Sequence, residues 1–512
     1  MREGWRILAN AARGSAAPIS ASSRPGEEWL SRCLARNGDT DYGRRYDFGN
    51  MRNADEYRDR TPICGYEDIA PSVAAMMPGK PDILFSGRPA AFERTGGSAG
   101  GEKIVPYSRD SLLDFRRALL PWLGFLIATC GLGGGSAYMA ISPALRRPAA
   151  TPSGIPLGLP DGAYLGKDVL RAFSNLSAVP GSVAAIPEFA AWQLSTLYWL
   201  LRSDDLELIS IWSPTFMLQL LEGLEQRFSE LQSLLTKGGI LNGEELPPDP
   251  QAAKRLESYD GQDASPLWPK LKVLSCWTDA SSAAYAELLA ERMPRALLQG
   301  KGLLLTEGAV TVPDSRGNPV PTLNSGFWEF LDEKGESHLS RELEKGRTYE
   351  VLMTTSGGLY RYRCGDTIRC DGHSGRLPIL RFAGRNGVFS DLVGEKLTDA
   401  FVADCMRLSR CSGMLVPFPA PQAGYLLLTE SQVETEAELP IEKLHRLEAA
   451  LCRNPQYAYA RSIDQLRAIA RRSLPGLSAR YTEFAVSRGR RLGDVKIPAL
   501  CTDPEWRKEI ER

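Results

Sequence analysis

The nine residues Thr95 to Lys103, TGGSAGGEK, combine the residue types that hold a polyanion: glycines, hydroxyls and a closing cation. Glycine lets backbone N–H groups approach an anion closely, while Thr95 and Ser98 supply hydroxyls and Lys103 a positive charge. The spacing is not that of a Walker loop. Glu102 separates Gly101 from Lys103, and Ile104 stands where Ser or Thr is required. No Gly-x-Gly-x-x-Gly register runs through this stretch or through GLGGGS at Gly131 to Ser136, so a dinucleotide fingerprint is excluded. By itself the stretch also suits a surface turn.

Other chemistry-bearing residues are dispersed. Thr306-Glu307 in LLTEG sets a hydroxyl beside a carboxylate, a pair suited to a hard, oxygen-seeking cation, although such a dipeptide also serves as a helix cap. Asp366 in YRYRCGD offers a carboxylate acceptor, or else a Gly-Asp turn. Trp212, between the apolar run LISI and a Ser-Pro turn, is a candidate wall of a substrate pocket. The ten cysteines contain no Cys-x-x-Cys pair and there are three histidines, which leaves no obvious zinc framework or histidine base and reads as reduced cytoplasmic thiols. A net charge of -1 provides no field for nucleic acid or a membrane surface, so neither is an expected partner.

These residues need a large scaffold. With 512 residues, 43% hydrophobic and 24% charged, the chain is globular in composition and long enough for several cores, at roughly 100–200 residues per domain. Helical periodicity is plain in SLLDFRRALLPWLGFL, FAAWQLSTLYWLLR, SPTFMLQLLEGLEQRFSELQSLL and IEKLHRLEAALCRN. Strand-like segments LKVLSCW, KGLLLTE, GFWEFLD, YEVLMTT and YRYRCGDTIRC lie among them, and this interleaving predicts an α/β architecture. The N-terminus lacks the apolar core of a signal peptide, and residues Ala11 to Pro25 read as a frayed arm. The most apolar window, Leu119 to Leu132, is shorter than the roughly 20 residues that span a bilayer and predicts a buried helix. Pro- and Gly-rich residues Gly131 to Gly166 read as a long ordered loop, and a domain boundary is expected near Asp391 to Asp399.

YRDRTPICGYEDIAP, TGGSAGGEKIVPYS, GKGLLLTEG, GGLYRYRCGD, LRFAGRNGVFSDLVGEKLTDAF and NPQYAYARSIDQL occur in that order over nearly the whole chain. In this series the chain resembles the auxin-responsive (Gretchen Hagen) acyl acid amido synthetases of the adenylate-forming superfamily. The resemblance implies an adenylate-forming fold, with a large N-terminal domain over 1–393 and a smaller mobile C-terminal α/β domain over 394–512, hinged at Asp391 to Gly394. It implies ATP and Mg²⁺, a carboxylic acid activated as acyl-adenylate, and an amine acceptor such as an amino acid.

Carried onto this sequence, Thr95, Gly97, Ser98, Gly100 and Lys103 would surround the phosphates, and Thr306 and Glu307 would lie near the α-phosphate, with Glu307 on the metal. Asp366 would bind ribose, Arg385 and Lys396 would lie near ribose and phosphate, and Lys396 and the mobile Lys496 would act in adenylation. The chain departs from the family at Gly96 and Ala99, where hydroxyls are common, and at Leu303, where an aromatic residue often stacks on adenine; the CWTDAS segment is a weak substitute. Within the same resemblance, a ligase that transfers to a thiol such as coenzyme A and a nucleotide-binding homologue without turnover are the alternatives.

Overall fold

Strand Phe327–Leu331 is buried along both faces, so its alternate residues enter different cores. Trp328 and Phe330 pack with Val310, Val351 and Met353, whereas Phe327 joins Trp29, Leu30 and Tyr57. The computed structural model describes the chain except residues 16–23, 97–101, 140–148, 160–163, 242, 386–388, 391, 394, 419–422, 432–440, 463–464 and 512. It comprises two compact units, the first made of Met1–Ala137, Arg146–Ser177 and Gly300–Phe382, the second of Tyr138–Leu145, Ala178–Gln299 and Ala383–Arg512.

The first unit is built on a five-stranded sheet in the order Ser337–Leu339, Phe327–Leu331, Thr348–Thr355, Leu359–Ser374, Leu377–Arg385. Glu329 lies on the Phe327 face at 1% exposure, where a lone carboxylate would be costly. Arg361 answers it, with Nε and Nη2 at 3.0 to 3.2 Å from the carboxylate and Nη1 donating to the carbonyl of Thr61 at 2.9 Å. To reach this position the strand bulges. Met353 pairs with Tyr362 and Thr355 with Leu359, which leaves Tyr360 and Arg361 opposite Thr354 alone, and Arg361 takes a φ of 47°. A second irregularity follows, with residues 364–366 opposite Val351 and Gly365 at φ 85°.

A smaller sheet in the order Glu102–Tyr107, Ala91–Gly96, Pro156–Leu157, Ala149–Ala150 carries the two arms of the glycine loop. Helix Arg109–Thr129 follows it, capped by the Ser108 hydroxyl, which accepts from the Ser111 N–H at 2.9 Å. This is the buried helix expected from the apolar window, and no helix among the described residues is long and apolar enough to cross a membrane. Of the expected frayed arm, Ala11 to Pro25, residues 11–15 are helical and residues 16–23 lie outside the described residues. Helix Glu3–Ser15 buries Trp5, Leu8 and Ala12, and the Trp5 indole donates to the Gly135 carbonyl at 2.8 Å. Helix Arg109–Thr129 needs Gly124 for this packing, because a Cβ there would lie 2.4 Å from the Ala12 methyl.

The second unit has a sheet in the order Leu297–Gly300, Val273–Cys276, Leu206–Ser210, Ser136–Met139. Strands Leu206–Ser210 and Val273–Cys276 are parallel, with Ser210 opposite Ser275. Helix Phe189–Arg202 matches its sequence pattern, whereas the long periodic stretch after Ser213 forms two helices, Pro214–Gln226 and Phe228–Lys237. The break falls at Arg227, whose guanidinium is drawn off to the Ala190 carbonyl and to Glu230.

A further sheet, Met414–Phe418, Gly424–Ser431, Ala470–Pro475, lies in the C-terminal part of this unit. The last segment of the second unit begins at Ala383, and residues 178–299 group with it. The cause is shared burial: Tyr285 sits in one core with Met414, Leu428 and Trp506, and Gln219 Nε2 donates to Thr482 Oγ1 at 3.0 Å.

Replacing Arg361 by Met is expected to cost about 3–5 kcal/mol, because Glu329 loses its main partner while still buried. Calorimetry should show a lowered unfolding midpoint for Arg361→Met. Combining it with Glu329→Leu should recover much of the loss, since no buried charge then remains.

Candidate active site

Two sequence-distant segments meet in the first unit. Strand Glu102–Tyr107, the outgoing arm of the glycine loop, ends at Tyr107, whose hydroxyl donates to the Thr306 carbonyl. Thr306 and Glu307 form the turn of a hairpin in which Leu305 pairs with Gly308. Glu307 lines a small cleft with Ser111, Asp114, Ala309, Thr355 and Ser356. Here Asp114 Oδ2 accepts from the Ser356 hydroxyl at 2.6 Å and Oδ1 from Arg117 at 2.7 Å, while Ser108 Oγ donates to the Ser356 carbonyl at 2.7 Å. The helix start is thereby tied to the Ser356 turn. The Thr355 hydroxyl, in a side chain only 4% exposed, has no hydrogen-bond partner among the described residues. A half-buried carboxylate beside such a hydroxyl is a donor set that fits a hard cation or a phosphate oxygen.

Neither Lys103 nor Asp366 lines this cleft. Lys103 Nζ lies 5.6 Å from the centroid of the Tyr66 ring, whose hydroxyl accepts from the Ile104 N–H at 2.8 Å. Asp366 is 3% exposed within strand Leu359–Ser374, at the second irregularity rather than in a terminal turn. Of the loop residues, Gly97, Ser98 and Gly100 lie outside the described residues, and Thr95 is the penultimate residue of the incoming strand, its Cα paired with that of Lys103. Leu303, expected at the family's aromatic position, is 4% exposed and packs in the core with Val310 and Trp328.

The remaining candidates belong to the second unit. Trp212 lies just past the carboxyl end of strand Leu206–Ser210, with its ring centroid 5.9 Å from that of Trp277. Lys496 Nζ stands 4.0 Å from the centroid of the Trp277 ring. Near Lys496 and Arg385 is the half-buried Asp399, whose carboxyl is pushed above its usual value by desolvation while the Leu500 N–H, at 2.8 Å, and these two cations pull it back. Lys396 is exposed and has a φ of 46°. It follows the fully buried Glu395, which accepts from the N–H groups of Leu392 and Val393 at 2.8 Å and from the Tyr425 hydroxyl. Asp391 and Gly394 of the expected hinge are outside the described residues.

Sequence reasoning passed over Asp114, Glu395 and Asp399, and reached Trp277 only through the CWTDAS segment. Asp114 was hidden in the helical pattern of SLLDFRRALL, although a carboxylate on the buried side of that pattern is the signal that could have singled it out.

Comparison with solved structures shows the fold. Over 99% of this chain and 96% of the other, the structure matches AtGH3.15 acyl acid amido synthetase in complex with 2,4-DB with a TM-score of 0.83 at 19% identity. It matches 2-hydroxyisobutyryl-CoA ligase in the postadenylation state with a TM-score of 0.55 at 12% identity, over 97% of this chain and 95% of that one. The fold is that of the adenylate-forming enzymes, mixed α/β with a large N-terminal and a C-terminal domain. Within that class the chain belongs to the GH3 family: residues 23–297 match the GH3 family N-terminal domain and residues 320–385 the GH3 family central domain. Among curated relatives, indole-3-acetic acid-amido synthetase GH3.8 of Oryza sativa subsp. indica is 23% identical over 93% of this chain and 88% of its own length.

Burial raises the Asp114 carboxyl from 3.8 to about 6, against the opposing hydrogen bonds from Ser356 and Arg117. Between these values the folded chain binds more protons than the unfolded one, so this group's contribution to stability is lost as pH rises from about 4 to about 6. Asp114→Asn should flatten the stability–pH curve over that window by up to about 3 kcal/mol, measured by denaturant unfolding at each pH.

Proposed function

We propose that this chain is an ATP-dependent, AMP-forming acid–amine ligase. It activates a small-molecule carboxylic acid as acyl-adenylate and transfers the acyl group to an amine, with an amino acid as the favoured acceptor. The observation that carries the reading is the Tyr107–Thr306 hydrogen bond, which joins the strand leaving the glycine loop to the Thr306-Glu307 turn within one unit. Membership of the GH3 family and relatives named as amido synthetases favour an amine over a thiol acceptor.

In the first half-reaction the carboxylate oxygen attacks the α-phosphorus and pyrophosphate leaves. In the second, the amine nitrogen attacks the acyl carbon, AMP leaves, and the amine gives up a proton. Neither step needs a covalent protein nucleophile, so what the chain must supply is alignment and charge neutralisation. Loop amides with Thr95, Gly97, Ser98, Gly100 and Lys103 take the phosphates, and Asp366 accepts from ribose hydroxyls. Glu307 is the residue to hold Mg²⁺, which when bound neutralises charge on phosphate oxygens. Arg385 and Lys396 serve ribose and phosphate, Lys496 acts in adenylation, and Trp212 forms part of the acid pocket. The same reading places the reaction in a reducing cytoplasm, consistent with all ten cysteines being free.

The two half-reactions make different demands on one site, so the reading includes a C-terminal domain, 394–512, that docks in more than one orientation. In such a movement the Gln219–Thr482 hydrogen bond and the Tyr285 contacts would have to part.

A screen of carboxylic acids for pyrophosphate release, with and without a panel of amino acids, tests the activity, and product mass separates amide from thioester. With an acid that supports turnover, Glu307→Gln should slow pyrophosphate release by roughly 10- to 100-fold at limiting Mg²⁺ without lowering the unfolding midpoint. An undiminished rate removes Glu307 from its metal role.

A further inference from the structure

Strands Leu206–Ser210 and Val273–Cys276 run parallel and end in register, and the chain leaves their carboxyl ends through Trp212 and Trp277. In open α/β sheets the space outside such strand ends is where ligands bind. The two backbones stay joined beyond the sheet, since the Trp277 N–H donates to the Trp212 carbonyl at 2.8 Å. Their half-buried rings lie 5.9 Å apart, inclined by 39°. Trp277 is thus fixed from below by the sheet and from the side by a second indole.

The face of Trp277 is taken by a cation. Lys496 Nζ lies 4.0 Å from the ring centroid, well inside the distance at which an ammonium is attracted to the negative face of an indole. The backbone that carries Lys496 is anchored nearby: the half-buried Asp399, in the first turn of helix Asp399–Ser409, accepts the Leu500 N–H at 2.8 Å, and Leu415 and Leu500 form a parallel bridge. A lysine side chain has several rotatable bonds and loses considerable entropy when held in one place. Ring face and anchored backbone together restrict it.

We propose that Trp277 is the positioning residue for Lys496: its indole face holds the ammonium group at the carboxyl ends of the two parallel strands, while Asp399 holds the backbone behind it. This assigns the CWTDAS segment a task other than contact with adenine. The role in turnover rests on the reading of Lys496 as a residue of adenylation. The dock itself does not, and the two are separable by experiment.

The full-length chain is compared with Trp277→Phe, which keeps an aromatic face, and Trp277→Leu, which removes it. Competitive acetylation by trace acetic anhydride, read by mass spectrometry, reports Lys496 reactivity relative to the exposed Lys334. Trp277→Leu should raise Lys496 labelling by roughly three- to tenfold, and Trp277→Phe by less than about twofold. Unchanged labelling in Trp277→Leu, or an equal rise in both variants, would overturn the dock.

The second readout is carboxylate-dependent pyrophosphate release. Trp277→Leu should lower kcat with little change in the KM for ATP, Trp277→Phe should restore most of it, and Trp277→Leu should cost nothing more in a Lys496→Gln background. An additive loss in that background would overturn the proposal, because Trp277 would then act independently of Lys496. If no acid supports pyrophosphate release by the parent chain, the ligase reading falls, and labelling still decides whether Trp277 holds Lys496.

Discussion

The ion pair of Arg361 with Glu329 is the constraint around which the first unit is arranged. Both side chains are nearly excluded from solvent, and an unpaired charge there would be untenable. Satisfying Glu329 takes a bulge opposite Thr354 and a positive φ at a non-glycine residue, a conformation that L-residues seldom adopt. The bulge has a second support, because Thr354 Oγ1 accepts from the Arg361 N–H at 3.1 Å and bonds the Tyr57 hydroxyl at 2.7 Å. The same strand then carries Asp366 through a further irregularity. One motif, YRYRCGD, thus serves two ends: its arginine at position 361 secures the fold, and its aspartate is placed where an interrupted ladder re-aims a side chain.

Buried and half-buried carboxylates recur as organisers of turns. Asp114 ties the start of a helix to the Ser356 turn, Glu395 gathers the N–H groups of Leu392 and Val393, and Asp399 holds Leu500. In each case a carboxylate accepts donors that a turn would otherwise leave exposed or unpaired. Glu395 draws Leu392 and Val393 onto its own carboxylate, and Lys396 follows it at a positive φ.

The chemical motifs were readable because each depends on local residue types: glycines for close approach, a hydroxyl beside a carboxylate, an aspartate in a set context. Strands such as YEVLMTT and helices such as FAAWQLSTLYWLLR were likewise legible from composition and periodicity. Ala11 to Ser15, expected in an arm, belong to the N-terminal helix, and their small residues carry little local signal. The helix's burial of Trp5 and the contact of Ala12 with Gly124 are long-range packing. The periodic stretch after Ser213 shows no Gly-Pro punctuation at Arg227, where the backbone, at φ -112° and ψ 23°, leaves the helix.

By itself the sequence determined the α/β class, the order of the motifs and the kind of chemistry their residues support, for these follow from side-chain type and short-range spacing. Only the tertiary structure decided which motifs meet and which residues hold them. Tyr107 reaches Thr306 across 199 positions of chain, and Glu329 finds Arg361 across 32. Lys496 comes to rest on Trp277, and residues 178–299 share a core with the C-terminal segment. The physical reason is the same throughout. A buried charge, an open aromatic face or an apolar surface requires a partner but does not specify where in the chain that partner lies, and it is packing that makes the choice.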